Sequence, residues 1–165
     1  MHTRIVTPRH GPPLLVRPLD SGDVGTVAAV FGRLGERSRR ARFNGPKPCV
    51  SAAELEQLAT VDGTHHTLVG YVEGNGEPAA LASLVRDGRD SAEVAFAVAD
   101  EYQHRGIGSA LTRELLADAR AAGITEITAL TRSDNPASLA LVRRCARVLD
   151  VHPEGPELAI RAAIA

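Results

Sequence analysis

Two closely spaced glycines, Gly106 and Gly108, mark the segment whose residue types best suit anion binding. They lie in the run YQHRGIGSAL at 102–111, between an apolar stretch and a helical pattern. Because glycine has no Cβ, a ligand can come close to the main chain there, and the N–H groups of a first helical turn have no intrahelical acceptor. The run therefore predicts that a pyrophosphate binds at the N-terminus of a helix.

The residues on either side of these glycines predict a strand, a helix and a second strand. Residues 92–99 alternate large and small apolar side chains and include one acid, as expected of a strand with two different faces. After the glycines, apolar residues recur every fourth position at Ile107, Leu111, Leu115 and Ala119. Gly123 stands where a left-handed C-terminal cap is expected, and residues 125–131 follow as a strand. Two strands joined by a helix predict a parallel pair.

Three families of phosphate-binding loop contain such glycines. A Walker-type loop needs a lysine and a hydroxyl after its last glycine, whereas Ser and Ala follow Gly108 here. A dinucleotide-binding fingerprint needs a third glycine where this chain has Leu111, which argues against a nicotinamide-dependent dehydrogenase. The remaining match is to the GNAT superfamily of N-acetyltransferases. Its signature of Gln or Arg, two residues, Gly, one residue, then Gly or Ala resembles the series Gln103, Gly106 and Gly108.

The resemblance to GNAT proteins extends over nearly the whole chain. Asn135 and Pro136 open a predicted helix downstream, with Asn135 as the cap and Pro136 at the first helical position. Residues 14–20 resemble the first strand of the superfamily. The resemblance implies an α/β (α+β) GNAT fold with a central mixed twisted sheet of about six to seven strands, flanked by about four helices. We expect residues 1–165 to form this single domain.

The same resemblance implies acetyl-CoA as the acyl donor, direct transfer in a ternary complex, and no metal. It implies that the backbone of a splayed strand pairs with the pantetheine amides and that the glycine loop holds the pyrophosphate. The donor-binding residues implied in this way are Phe96, Val98, Gln103, His104, Arg105, Gly106, Ile107, Gly108, Ser109, Asn135 and Ser138.

Transfer to an amine requires a base that removes a proton from the amine. Glu93 is the candidate, since its strand neighbours Ala95 and Ala97 are small enough to leave space for a substrate. Position alone leaves open that Glu93 is a solvated surface acid. The resemblance to bacterial GNAT proteins that acetylate protein lysines implies the role of base. Where many GNAT proteins have a Tyr that protonates the leaving thiolate, this chain has Val142, and a thiol with a pKa of about 8.5 can leave without that acid.

Residues 31–43 resemble a segment of this lysine acetyltransferase branch, in which a leucine is followed by Glu-Ser-Arg and then Arg-Phe. The match is imperfect because Arg37 intervenes between Glu36 and Ser38. Some members of the branch are fused to cyclic-nucleotide-binding or ligase-like domains, and we expect no such fusion here. The arginines are alternatively a solvated cluster, or they meet an acidic protein surface or a cofactor phosphate.

The acceptor amine is left open between a small molecule and a protein lysine, with specificity expected in loops around residues 35–50 and 63–66. The alternative function is a non-catalytic acyl-CoA-binding sensor or partner domain. A homodimer is also left open.

Composition narrows the remaining classes. The chain has 165 residues, 44% hydrophobic residues and no apolar run of transmembrane length, so we expect a cytoplasmic protein without a membrane partner. A net charge of -1 and 3% aromatic residues argue against nucleic-acid binding. Cys49 and Cys145 are expected to be free thiols. His65 and His66 are adjacent on a predicted strand and should point to opposite faces, which argues against a shared metal site.

Overall fold

The computed structural model describes residues 3–164, which form one mixed sheet of eight strands together with five α-helices. The strands are β1 (Arg4–Val6), β2 (Leu14–Pro18), β3 (His65–Val72), β4 (Pro78–Arg86), β5 (Ser91–Val98), β6 (Glu126–Arg132), β7 (Arg147–Glu154) and β8 (Glu157–Ala163). The helices are α1 (Val24–Phe31), α2 (Glu36–Arg42), α3 (Ala52–Leu58), α4 (Ile107–Ala121) and α5 (Pro136–Cys145). A short 3-10 turn, Asp100–Tyr102, follows β5.

The strand order across the sheet is β1-β2-β3-β4-β5-β6-β8-β7. Neighbouring strands are antiparallel except β5 and β6, which are parallel and are joined through α4. The predicted parallel pair with a helical crossover is therefore confirmed. Gly123, just beyond α4, has φ +81°, the left-handed conformation expected of the residue after a helix.

Helices cover both faces of the sheet, so alternate side chains of the central strands enter two separate apolar clusters. On one face, α4 and α5 pack on the sheet, and Leu111 and Val94 are buried there. On the other face, α1 and α3 pack on the sheet, and Val27 and Ala97 are buried there. The side chain of Glu93 lies on this second face, because β5 alternates as the sequence predicts.

Two elements of the structure, β1 and α2, have no counterpart in the sequence prediction. β1 has only three residues, and α2 has the sequence ERSRRAR, which carries no apolar stripe that helical periodicity could reveal. The prediction of a loop around residues 35–50 is therefore wrong for its first half, where the chain forms α2. α1 ends at Phe31, where the Gly32 N–H closes its last turn on the Ala28 carbonyl at 2.8 Å.

A charged cluster holds the edge strand β1 to α4. The Arg4 guanidinium donates hydrogen bonds of 3.0 and 2.8 Å to the Asp118 carboxylate and pairs with Glu114 at 3.0 Å. His66 of β3 places Nε2 3.0 Å from Asp118 Oδ2. Burial raises the pKa of Asp118, but the hydrogen bonds from Arg4 and His66 outweigh burial and hold this pKa below its usual range. The cluster thus joins β1, β3 and α4.

Asp118→Asn is expected to lower the free energy of unfolding by about 1–2 kcal/mol at pH 7, because Arg4 loses one of its two charged partners and keeps only Glu114. Since the folded-state pKa of Asp118 lies below its unfolded value of about 3.9, the wild-type contribution is present above that value and is lost as the pH falls through the folded one. Urea denaturation should therefore show the gap between wild type and variant narrowing from about pH 5 toward about pH 2. Asp90→Asn in an exposed turn is the control; an equal gap at both pH values would contradict the assignment.

Candidate active site

The two glycines lie where the loop enters α4. Gly106 is the N-cap of the helix and has φ +79°, a left-handed conformation that favours glycine. The first intrahelical hydrogen bond runs from the Ala110 N–H to the Gly106 carbonyl at 3.0 Å, so the N–H groups of residues 107–109 precede it. Because α4 continues for 15 residues, its N-terminus offers an anion both main-chain donors and the positive end of a helix dipole.

The structure gives a different explanation for glycine at positions 106 and 108 from the sequence interpretation. In that interpretation, a ligand occupies the space where a side chain would be. A Cβ at Gly106 would lie 3.4 Å from Pro8, so that side of Gly106 faces the segment between β1 and β2. A Cβ at Gly108 would lie 3.5 Å from Val98 and 3.9 Å from Leu141, which is ordinary contact distance. Gly106 is therefore required by its backbone conformation, whereas Gly108 sits between β5 and α5 with room for a methyl group.

β5 and β6 separate before they reach the glycine loop. Their paired residues end at Glu93 and Thr128, although both strands continue beyond. The Ala99 N–H bonds a carbonyl of β4 at 2.8 Å. Because main-chain groups alternate along a strand, the N–H groups of Phe96 and Val98 face the opening toward β6. The strand separation implied by the family resemblance is thus present beside the two residues named for it.

The predicted loop residues surround the end of this opening. His104 and Arg105 are exposed, and Ile107 is buried beneath them. The Gln103 side chain is already engaged: its Nε2 lies 3.0 Å from the Val98 carbonyl and 3.0 Å from Ser38 Oγ of α2. Gln103 therefore fastens the end of β5 to α2, a structural role that the motif did not indicate.

α5 approaches the opening from the β6 side. Asn135 is its N-cap residue by position, as predicted, but its side chain makes no capping hydrogen bond and instead donates to Thr131 Oγ1 at 3.4 Å. Ser138 lies half-buried in the first turns of the same helix. Val142 is 1% exposed and packs in the core, so this position presents no hydroxyl to a leaving thiolate.

A cleft of about 440 Å³ opens on the face of the sheet that carries Glu93. Ala95 lines it beside Glu93, so the predicted space next to the carboxylate is present there. Ala97 does not contribute to that space, because it is 6% exposed in the cluster under α1. Glu93 is also the last residue of β5 that pairs with β6. The cleft and the strand opening therefore adjoin at the Glu93 position.

Among the polar residues of the cleft, Thr67 and Ser83 have no role in the sequence prediction, and Arg42 enters it only within the arginine-rich segment 31–43. Thr67 of β3 and Ser83 of β4 are cross-strand partners, and the Thr67 hydroxyl donates to Ser83 Oγ at 3.1 Å. Strand alternation could have placed this pair on the Glu93 face. Arg42, the last residue of α2, is marked in the sequence only by the Arg-Phe pair that it forms with Phe43.

The two adjacent histidines point to opposite faces of the sheet, as predicted. His65 Nδ1 lies 2.9 Å from Asp62 Oδ1 at the rim of the cleft, and this hydrogen bond holds the pKa of Asp62 well below its usual range. His66 meets the Arg4 cluster on the α4 face.

Residues 3–164 contain no group of three or more His, Cys, Asp or Glu placed to hold a metal ion. Over the same range Cys49 and Cys145 are free thiols, and no helix has the length and apolar character to cross a membrane.

Residues 36–146 match the family model described as the acetyltransferase (GNAT) family. The chain belongs to this family. The matched range contains α2 to α5, the glycine loop and Glu93, so the predicted resemblance is confirmed for the part of the chain that builds the cleft and the opening.

Acetyltransferase Pat of Mycolicibacterium smegmatis is 34% identical over 143 residues, which are 85% of this chain and 43% of Pat. The chain thus spans less than half the length of this relative. The crystal structure of the GNAT domain of S. lividans PAT superposes with a TM-score of 0.86 at 25% identity and covers 98% of this chain and 97% of that domain. The predicted fold class is therefore confirmed, with one strand and one helix more than expected.

Two further solved structures share the fold. The cAMP-binding acyltransferase from Mycobacterium smegmatis gives a TM-score of 0.68 at 28% identity, covering 99% of this chain and 48% of that protein. Spermidine N-acetyltransferase from Vibrio cholerae, in complex with CoA and spermine, gives a TM-score of 0.67 at 21% identity and covers 92% of this chain and 94% of that one.

Alanine at the two glycines is expected to have opposite effects on stability. Gly106→Ala should lower the free energy of unfolding by about 1–2 kcal/mol, because a Cβ is strained at φ +79°. Gly108→Ala should be neutral or stabilising by up to about 1 kcal/mol, because this residue is helical and a methyl group fits. Urea denaturation of the two variants tests the difference. Equal destabilisation would show that the left-handed backbone is not what selects glycine at 106.

Proposed function

We propose that this chain transfers an acetyl group from acetyl-CoA directly to a primary amine, and that the amine belongs to a protein lysine. The proposal rests on the junction at Glu93, where the opening between β5 and β6 adjoins a cleft that carries a carboxylate. The opening suits an extended thioester arm, and the cleft suits an amine. The similarity to Pat and to the PAT GNAT domain supports this choice of reaction and acceptor.

The donor lies along the opening in this proposal, with its pyrophosphate on the N–H groups that begin α4. The main chains of Phe96 and Val98 pair with the pantetheine amides, and the Val98 N–H faces the thioester carbonyl. Residues 103–109 hold the pyrophosphate, while Asn135 and Ser138 border the arm from α5. The CoA held by the spermidine N-acetyltransferase supports CoA as a ligand of this fold. No metal is required, because the N–H groups supply the polarising dipoles.

Glu93 acts as the base. A lysine amine with a pKa of about 10.4 is almost fully protonated near pH 7, so it must lose a proton before it can attack the thioester. The carboxylate of Glu93 accepts this proton, directly or through water. The amine nitrogen then bonds to the carbonyl carbon, the C–S bond breaks and the CoA thiolate leaves. The nitrogen releases its second proton to solvent, which leaves a neutral amide. Since Val142 offers no acid, the thiolate leaves unprotonated and takes its proton from solvent.

The first experiment is an acceptor panel. Purified protein and acetyl-CoA are incubated with lysine peptides, protein N-termini, aminoglycosides, polyamines and amino acids, and acetylated products are identified by mass spectrometry. The proposal expects acetyl transfer to lysine ε-amines. Tight CoA binding with no transfer to any amine would instead favour a non-catalytic acyl-CoA sensor.

Glu93→Gln is expected to lower kcat by on the order of a hundredfold near pH 7, because the amide keeps the size of the side chain but cannot accept the proton. The dissociation constant of acetyl-CoA should stay nearly unchanged. The loss should shrink as the pH rises toward the pKa of the amine, where the acceptor is already neutral. Steady-state rates across pH and calorimetric titration with acetyl-CoA measure the two quantities.

The matched control is Glu154→Gln, which makes the same chemical change at an exposed position of β7. It should leave both the rate and the affinity at wild-type values. If Glu93→Gln keeps wild-type rates at every pH, Glu93 is a surface carboxylate and the base lies elsewhere.

A further inference from the structure

Arg42 is a charged side chain in the cleft that has no ion-pair partner among residues 3–164. It ends α2, lines the cleft together with Glu93, and is only half-buried. Its guanidinium carbon lies 5.3 Å from the ring centre of Phe43 and 5.9 Å from that of Phe31. Within residues 3–164, no hydrogen bond or ion pair reaches the guanidinium nitrogens. The two rings therefore hold the guanidinium, and its donors are left for a ligand.

The neighbouring charges show that this situation is particular to Arg42. Arg39, one turn earlier, donates to the main-chain carbonyls of Leu34 and Lys47. The Lys47 ammonium forms an ion pair with Glu54, which is the other carboxylate of the cleft. Hydrogen bonds from Lys47 and from the Ser51 main chain lower the pKa of Glu54 to about 2. Glu54 is thus already neutralised by its own partners.

Arg42 and Glu93 remain as one positive and one negative group in the same cleft. No ion pair within 4.0 Å joins them among the described residues, so they do not satisfy one another. Burial lowers the pKa of Arg42 and the charge of Glu93 opposes this, which shows that each lies in the field of the other. A partly buried guanidinium is stabilised when an anionic acceptor replaces the water on its donors. A ligand that brings an anionic group to Arg42 and a cationic group to Glu93 complements both.

We propose that Arg42 binds a carboxylate of the acceptor while Glu93 takes the proton from its amine. The inference rests on the function proposed above and specifies the acceptor. Guanidinium and carboxylate are both planar and match in a bidentate geometry, and the two rings keep the Arg42 plane in place. The carboxylate has two possible sources: an acidic side chain beside an acceptor lysine, or the α-carboxylate of a free amino acid. Polyamines, which carry amines only, should be poor acceptors.

The test compares acceptors that differ only in the carboxylate. One pair is a lysine peptide with Glu flanking the lysine and the same peptide with Gln in those positions. The other pair is Nα-acetyl-lysine and its amide, and spermidine serves as a cationic acceptor without a carboxylate. Wild-type kcat/KM should be about tenfold higher for the carboxylate member of at least one pair. The pair that shows the preference identifies the source of the carboxylate.

Arg42→Gln should reduce this preference to less than about twofold, with the larger fall in kcat/KM for the carboxylate members. Arg42→Lys should restore part of it, because the charge returns without the bidentate geometry. Arg37→Gln is the matched control, since Arg37 is exposed on the same helix and loses the same charge outside the cleft. Thermal denaturation checks that each variant is folded.

The outcomes separate the inference from the proposed function. Equal acetylation of both members of each pair by the wild type would overturn the inference and leave the amine acetyltransferase intact. An equal fall in kcat/KM for every acceptor in Arg42→Gln would also overturn it, because Arg42 would then only shape the cleft. Acetylation of no amine at all would overturn both.

Discussion

The separation of β5 from β6 after Glu93 and Thr128 is the constraint on which the rest of the site depends. Beyond this point β6 keeps β8 as its partner, so the main-chain groups of β5 that face the opening have no strand to pair with. Such groups need a hydrogen-bonding partner, and an extended ligand with amides of its own supplies one in the manner of an added strand. A fully paired parallel sheet would have closed this slot.

The elements around the opening keep it open. α4 and α5 pack against the core on one face and meet near Gly108, where the small residue permits close approach. On the other face α2 contacts both β5 and β6, and Gln103 ties it to the end of β5 through Ser38. Gly35, just before α2, donates its N–H to Asp100 Oδ2 at 3.0 Å. A helix without an apolar stripe is thereby positioned by polar contacts at its beginning rather than by burial.

The distance along the sequence between contacting residues decides which elements could be predicted from the sequence and which could not. The strand, glycine loop and helix that contain Glu93 and Gly106 follow a local pattern of periodicity and capping. Such elements can be predicted because the residues that determine them are close in sequence. α2 is held by contacts to residues more than sixty positions away, so no window of sequence contains the reason for its structure. The requirement for glycine at position 106 also differs from the sequence interpretation, because it follows from a backbone φ of +79° that the motif does not specify. The sequence includes Arg42 in an arginine-rich segment but does not place it in a cleft, because that location depends on the position of α2.

The location of α2 has a consequence for the chemistry. In the proposed mechanism a carboxylate held in an ion pair would be a weaker base, because a nearby cation lowers its pKa. Lys47 is occupied by Glu54, and Arg39 is occupied by main-chain carbonyls, so neither forms an ion pair with Glu93. Burial lowers the pKa of Arg42 and the charge of Glu93 acts to raise it, although no ion pair within 4.0 Å joins the two groups. The fold thus keeps the Glu93 carboxylate and the Arg42 guanidinium apart within one cleft, as the proposed roles of proton acceptor and anion-binding group require.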